Sequence, residues 1–115
     1  MKGDGAQAEK LAADFLQRNG LRLIASNFRC RMGEIDLIMK DGATLVFAEV
    51  RLRSGSGFGG AAASITAAKQ AKITRAAQIY LQQNRIDAPC RFDAVLLDSL
   101  DAGRIEWIKN AFEGV

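Results

Sequence analysis

The chain has 115 residues, 49% hydrophobic and 25% charged, with a formal net charge of +3, two cysteines and no histidine. That suffices for one domain with a real core, residues 1–115, and leaves nothing for a second; the composition is globular rather than disordered. Lack of histidine excludes the usual zinc sets and histidine-based triads, and Cys30 and Cys90 lie too far apart for a zinc knuckle, so both are expected as reduced thiols.

No apolar run reaches membrane-spanning length, and Met1-Lys2-Gly3-Asp4-Gly5 lacks a signal-peptide core, so a cytoplasmic location without a membrane partner is expected. Charge is uneven: from Arg29 to Arg91 ten Lys/Arg stand against five Asp/Glu, and beyond Arg91 two stand against five. A basic middle suggests a polyanionic partner, nucleic acid first, with a solvated basic face as the alternative.

Ala8, Leu11, Ala12, Phe15 and Leu16 recur at helical spacing and predict a helix from about Gln7 to Arg18, ended by Asn19-Gly20, with Glu9 at the edge of the stripe. Leu21 to Arg29 reads as a strand. A hairpin follows, with Ile35, Leu37 and Met39 alternating on one strand and Val46, Ala48, Val50 and Leu52 on the next. Asp41-Gly42 as a two-residue turn sets Lys40 opposite Ala43, Asp36 opposite Phe47 and Glu34 opposite Glu49. Glu49 is then diagonal to Asp36, Arg51 shares their face, and the apolar rows form the other, buried face. A three-residue turn would slip the pairing by one and reverse the face of Glu49.

Carboxylates so placed repel one another unless a counter-charge is present. Mg²⁺ accepts one or two carboxylates, a backbone carbonyl and waters. Surface ion pairs among Glu34, Asp36, Glu49, Arg51 and Arg53 account for the same pattern equally well.

Ser54-Gly55-Ser56-Gly57-Phe58-Gly59-Gly60 reads as a loop. It satisfies G-x-G-x-x-G, yet the region about 20 residues on is helical around Tyr80 and offers no acid at a strand end, so a dinucleotide site is rejected. Ser64 is expected to cap a helix reaching about Asn84, with Ile73, Ala76, Ala77, Tyr80 and Leu81 inward. Its flank carries Lys69, Lys72 and Arg75, which can fold back over the carboxylates or remain a solvated helix face. Cys90 to Leu97 reads as a largely buried strand, and Arg104 to Ile108 as its hairpin partner. Trp107 is expected at the core edge, and Asp93, Asp98 and Asp101 as strand and turn residues.

This order of elements, with Glu9, Ala12 and Leu16 on the first helix, Asn27-Phe28-Arg29, Gly33-Glu34-Ile35-Asp36-Leu37-Ile38, Val46-Phe47-Ala48-Glu49-Val50, Arg53, Phe58-Gly59, Lys69 and Arg91-Phe92-Asp93, resembles the restriction-endonuclease-like nucleases. Within them it looks most like the bacterial YraN-type family. The resemblance implies an α/β fold with a central mixed β-sheet of about five strands and flanking helices, in the order α-β-β-β-α-β-β. It further implies a single nuclease-like domain and an Mg²⁺- or Mn²⁺-dependent endonuclease. The family is similar to the archaeal-type Holliday junction resolvases, which cut branched DNA and usually act as dimers, so structured DNA and a homodimer are the implied partners.

Carried over residue by residue, the resemblance makes Glu9, Asp36, Glu49 and Arg51 the catalytic set, with Asp36, Glu49 and the Val50 carbonyl as metal ligands and Glu9 reaching in through water or directly. Glu34 is an accessory that orients water or caps ion pairs, and Arg29, Arg53, Lys69, Lys72 and Arg75 are the nucleic-acid contacts. One position departs from the pattern: Arg51 stands where the family usually has lysine. A guanidinium stays protonated and cannot accept the attacking water's proton, though its charge can stabilise pentavalent phosphorus. Two outcomes follow, an active or weakened nuclease and a catalytically silent nucleic-acid-binding protein of the same fold. A third reading is an interaction subunit docking an acidic protein. On sequence grounds Arg51→Lys is expected to leave folding intact and raise metal-dependent cleavage.

Overall fold

The computed structural model describes residues 2–52, 65–98, 100 and 104–113. Helix α1 (Lys2–Arg18) leads into strands β1 (Arg22–Cys30), β2 (Gly33–Asp41) and β3 (Thr44–Leu52). Helix α2 (Ala67–Gln83), β4 (Cys90–Leu97) and β5 (Ile105–Phe112) follow. The strands form one mixed sheet in the order β1-β2-β3-β4-β5. β3 and β4 are parallel and the other neighbours antiparallel; a parallel pair needs a crossover, and α2 lies in it. Among the described residues no helix is long and apolar enough to cross a membrane.

Local chemistry ends and starts the helices. Gly20 at φ +97° lets Leu21 N–H bond to the Leu16 carbonyl and Gly20 N–H to that of Gln17, a Schellman end that folds Leu21 onto the core beside Leu16. Helix α2 is capped by Thr66, whose hydroxyl accepts from Lys69 N–H at 3.2 Å. The expected cap Ser64 lies outside the described residues, as do Arg53, the glycine-rich loop and Asp101.

Both faces of the sheet are covered, which corrects the expectation that the apolar rows share one buried face. Ala8, Ala12, Ala13 and Leu16 of α1 pack on Leu37, Met39, Val46, Ala48, Val95 and Leu97. Ile73, Ala76, Ala77 and Tyr80 of α2 pack on Ile35, Ile38, Leu45, Phe47, Ala94 and Leu96. Ile35 and Leu37, expected in one row, therefore serve opposite layers, so side-chain alternation breaks at Asp36. Its cross-strand neighbour, between the pairs Ser26–Leu37 and Phe28–Ile35, is Asn27 at φ +54°. Asparagine tolerates this left-handed backbone better than most residues.

The β2–β3 register also differs from expectation. Asp41 pairs with Thr44 and Lys40 with Leu45, so Gly42 and Ala43 form the turn. Gly42 has φ +62° while Asp41 and Ala43 keep negative φ, which suits a turn with glycine first, whereas Asp-Gly needs positive φ at both positions. Asp41 also stays in the strand by accepting from Arg91 Nη1 at 3.1 Å. The shift is two residues, so Glu49 keeps its face and comes opposite Asp36 rather than diagonal to it.

Gly33 marks where α2 meets the sheet. A Cβ there would lie 2.9 Å from the Lys72 carbonyl oxygen and 3.1 Å from its Cβ. The first residue of the Gly-Glu-Ile-Asp run is thus a packing device. Gly33→Ala should push α2 away and cost about 1–3 kcal/mol, read as a fall in the urea midpoint; an unchanged midpoint would show that the helix shifts freely.

Candidate metal centre

The β2–β3 ladder ends at Leu37–Ala48. One step further the strands diverge, and Asp36 bridges the gap, its Oδ2 accepting from Val50 N–H at 2.9 Å. A strand residue's N–H and C=O point to the same side, so the Val50 carbonyl faces the gap as well. Glu49 is buried, 5% exposed, and its Oε2 lies 3.4 Å from Arg51 Nη2 and 3.6 Å from Lys69 Nζ. Alternation along β3 puts Glu49 on the face of Phe47, under α2, and Glu9 reaches Asp36 from α1 on the opposite face.

These carboxyls form a chain through the sheet. Burial, then the adjacent Asp36 charge, pushes Glu49 up to about 7 against the pull of Lys69 and Arg51. Burial raises Asp36 too, opposed by the Val50 N–H and by a hydrogen bond with Glu49, so the two carboxyls resist ionising together. Glu9 is raised chiefly by burial, with a hydrogen bond to Asn27 opposing. The kink at Asn27 thus sets a side chain on Glu9, a role the sequence pattern did not reveal; an asparagine inside an apolar-alternating strand was the available signal.

Among the described residues no three Asp, Glu or Cys side chains are gathered closely enough to hold a metal by themselves. The donor set fits a hard ion that keeps most of its waters: two adjoining carboxyls reluctant to ionise together, with a backbone carbonyl on the same gap. A divalent cation would offset the burial and the Asp36 charge that together raise Glu49. Zinc finds neither the imidazole nor the clustered thiolates it favours.

Residues 8–97 match the model described as "Uncharacterised protein family UPF0102". The chain belongs to this family. It is the YraN-type family whose motifs the sequence resembles. A UPF0102 protein of Nitrosomonas europaea is 57% identical over 109 residues, covering 95% of this chain and 92% of its own. One of Methylobacillus flagellatus is 58% identical over 112 residues, covering 97% and 98%, and one of Dechloromonas aromatica is 56% identical over 108 residues, covering 94% and 87%.

Every candidate site residue of this UPF0102 chain falls inside the matched segment, whereas β5 lies beyond it. Glu9, Asp36, Glu49, Val50, Arg51 and Lys69 come together at the strand divergence. Arg29, Arg31, Gly33, Glu34, Lys69 and Lys72 line an adjoining cleft of about 480 Å³ between the β1–β2 turn and α2. Glu34 pairs across the ladder with Arg29 at 3.6 Å, both well exposed, so of its two expected roles the structure displays the ion pair. Arg75 is not brought to this cleft; it lies one turn further along α2, with Met32, Gln78 and Arg85.

The second buried acid is structural. Asp93 also stands at a ladder irregularity, between Phe92 and Ala94, and repairs it by accepting from Asn110 N–H at 3.0 Å. Arg91 donates to both of its oxygens and Trp107 Nε1 to one. Asp36 repairs its gap without a guanidinium of its own, and that difference separates the two acids chemically.

Proposed function

We propose that this UPF0102 protein is a metal-dependent endonuclease hydrolysing phosphodiester bonds in structured or branched DNA. The observation that carries the reading is the meeting of Asp36, held by the Val50 N–H where the strands diverge, with buried Glu49, which Arg51 and Lys69 flank. The basic cleft beside it and the resemblance to junction resolvases support DNA as substrate and a homodimer as the working form.

Asp36, Glu49 and the Val50 carbonyl would hold Mg²⁺ or Mn²⁺. Bound there, the ion supplies Lewis-acid activation of water and of the phosphoryl oxygen. The chain's own contributions are distinct. Asp36 is fixed by the Val50 N–H, so its carboxyl is oriented before any ligand arrives. Glu9 orients water from the α1 side. The Arg51 guanidinium offsets charge developing on phosphorus, and a site walled by two helical layers limits bulk water.

The test uses labelled duplex, flap, fork and four-way-junction DNA with Mg²⁺, Mn²⁺ or chelator. Cleavage should require the ion, favour branched substrates and fall more than about 100-fold in Asp36→Asn and Glu49→Gln, beyond the usual loss for an outer-shell partner. Cleavage surviving both substitutions would assign the activity to a contaminant. Metal-independent DNA binding without cleavage would favour the silent DNA-binding protein, for which Arg51 in the lysine position is the supporting observation.

A further inference from the structure

We propose that Lys69, on the first turn of α2, is the lysine of this site: its ammonium contacts a non-bridging oxygen of the scissile phosphate, the task that Arg51 on β3 is not shaped to perform. The inference rests on the nuclease reading and names a catalytic residue within it.

Position is the first argument. Lys69 Nζ stands 3.6 Å from Glu49 Oε2, the oxygen that Arg51 Nη2 approaches at 3.4 Å. Two cations therefore face one carboxylate oxygen. With a divalent ion in place, three positive groups (the ion, Lys69 and Arg51) would face the acids Glu9, Asp36 and Glu49, leaving one unit of positive charge in excess. A phosphodiester carries one negative charge and matches that excess.

Placement in the helix is the second. Lys69 is the third residue of α2, where the macrodipole favours anions, and no acidic residue occupies that turn. A cation there costs about 0.3–1 kcal/mol. The ion pair with buried Glu49 offsets that cost, so the broken local rule serves the site rather than the helix. The mounting is also rigid: Thr66 caps the Lys69 N–H, Gln70 Nε2 donates to the Ile65 carbonyl at 3.0 Å, and the next turn rests on Gly33.

The third argument is an orphan donor. Arg51 Nε is buried and has no hydrogen-bond partner among the described residues. That nitrogen is closed to an incoming phosphate, and Arg51 Nη2 is already engaged with Glu49 Oε2, so the guanidinium cannot present its planar fork, whereas Lys69 offers a compact point charge from the helix side. During hydrolysis the water oxygen bonds to phosphorus and the bond from phosphorus to the leaving sugar oxygen breaks. Solvent takes the proton from the attacking water and supplies one to the leaving oxygen, while Lys69 donates a hydrogen bond throughout and exchanges no proton.

Lys69→Met, Lys69→Gln and the double variant Lys69→Met/Arg51→Lys are compared with wild type by single-turnover cleavage, Mn²⁺ titration calorimetry and thermal melting. Either single change should lower cleavage about 100-fold, the scale of removing one preorganised transition-state contact. Mn²⁺ affinity should hold or rise severalfold, because a cation beside Glu49 has gone. Adding Arg51→Lys to Lys69→Met should restore cleavage at least about tenfold by returning an ammonium from the strand side. Single variants cleaving within about threefold of wild type would overturn the inference, as would weakened Mn²⁺ binding, which would make Lys69 a scaffold for the metal ligands. A wild type that neither binds Mn²⁺ nor cleaves any branched DNA would instead sink the nuclease reading itself.

Discussion

Glu49→Gln should abolish metal-dependent cleavage and at the same time make the metal-free protein more stable at pH 8. Glu49 has a folded pKa of about 7 against an ordinary 4.5, because it is buried beside Asp36. Below pH 4.5 both folded and unfolded chains hold the proton and the stabilising contribution is complete. As pH rises from 4.5 to 7 the unfolded chain ionises while the folded one resists, so that contribution is lost, and above 7 none remains. At 1.36 kcal/mol per unit the swing is on the order of 3 kcal/mol, or roughly 10 °C in melting temperature. Glutamine cannot ionise and escapes the loss. The burial that raises Asp36 and Glu9 acts with the same sign. Mn²⁺ should therefore raise the melting temperature of wild type far more at pH 8 than at pH 5, and should leave Glu49→Gln unmoved at both. A wild type and a glutamine variant that melt in parallel across this range would show that the pair is not strained.

The largest loss of stability is expected from Asp93→Asn. Every neighbour of this fully buried carboxylate is a donor: Arg91 Nε and Nη2 at 2.9 and 3.0 Å, Trp107 Nε1 at 2.9 Å and Asn110 N–H at 3.0 Å. An asparagine amide would turn its own N–H₂ toward one of those donors and leave the Arg91 charge with only the more exposed Asp41 as a partner. Removing one member of a buried pair costs about 3–5 kcal/mol, a large share of a small domain's stability. Urea unfolding should show a midpoint collapse, with Trp107 fluorescence as reporter, since its ring also packs edge-on against Phe15 at 6.2 Å. A loss below about 1 kcal/mol would mean that water replaces the carboxylate. A DNA-binding defect without loss of stability would move Asp93 from the core to the site.

The sequence was readable wherever a short-range pattern decides structure. Helical spacing of Ala8, Leu11, Ala12, Phe15 and Leu16 and the Asn19-Gly20 stop defined α1. Alternation in β2 and β3, and the apolar run Phe92 to Leu97, located three strands, and the element order followed. The face shared by Glu49 and Arg51 was also legible, because a register error of two residues leaves faces unchanged.

Long-range geometry decided the rest. Which pair of residues makes the β2–β3 turn depended on Arg91 holding Asp41 from another strand. The sheet's two buried faces depended on both helices docking, so the apolar row of β2 was divided between layers by a kink at Asn27 and Asp36 that no periodicity shows. Lys69 is one of several basic residues on a helix flank until α2 settles on Gly33 and carries its ammonium to Glu49. The sequence by itself determined which residues bear charge and which elements carry them, because those follow from side-chain chemistry and local spacing. Only the tertiary structure decided which charges meet, because a contact between α2 and β3 depends on how two layers pack across the sheet, and no window along the chain contains that information.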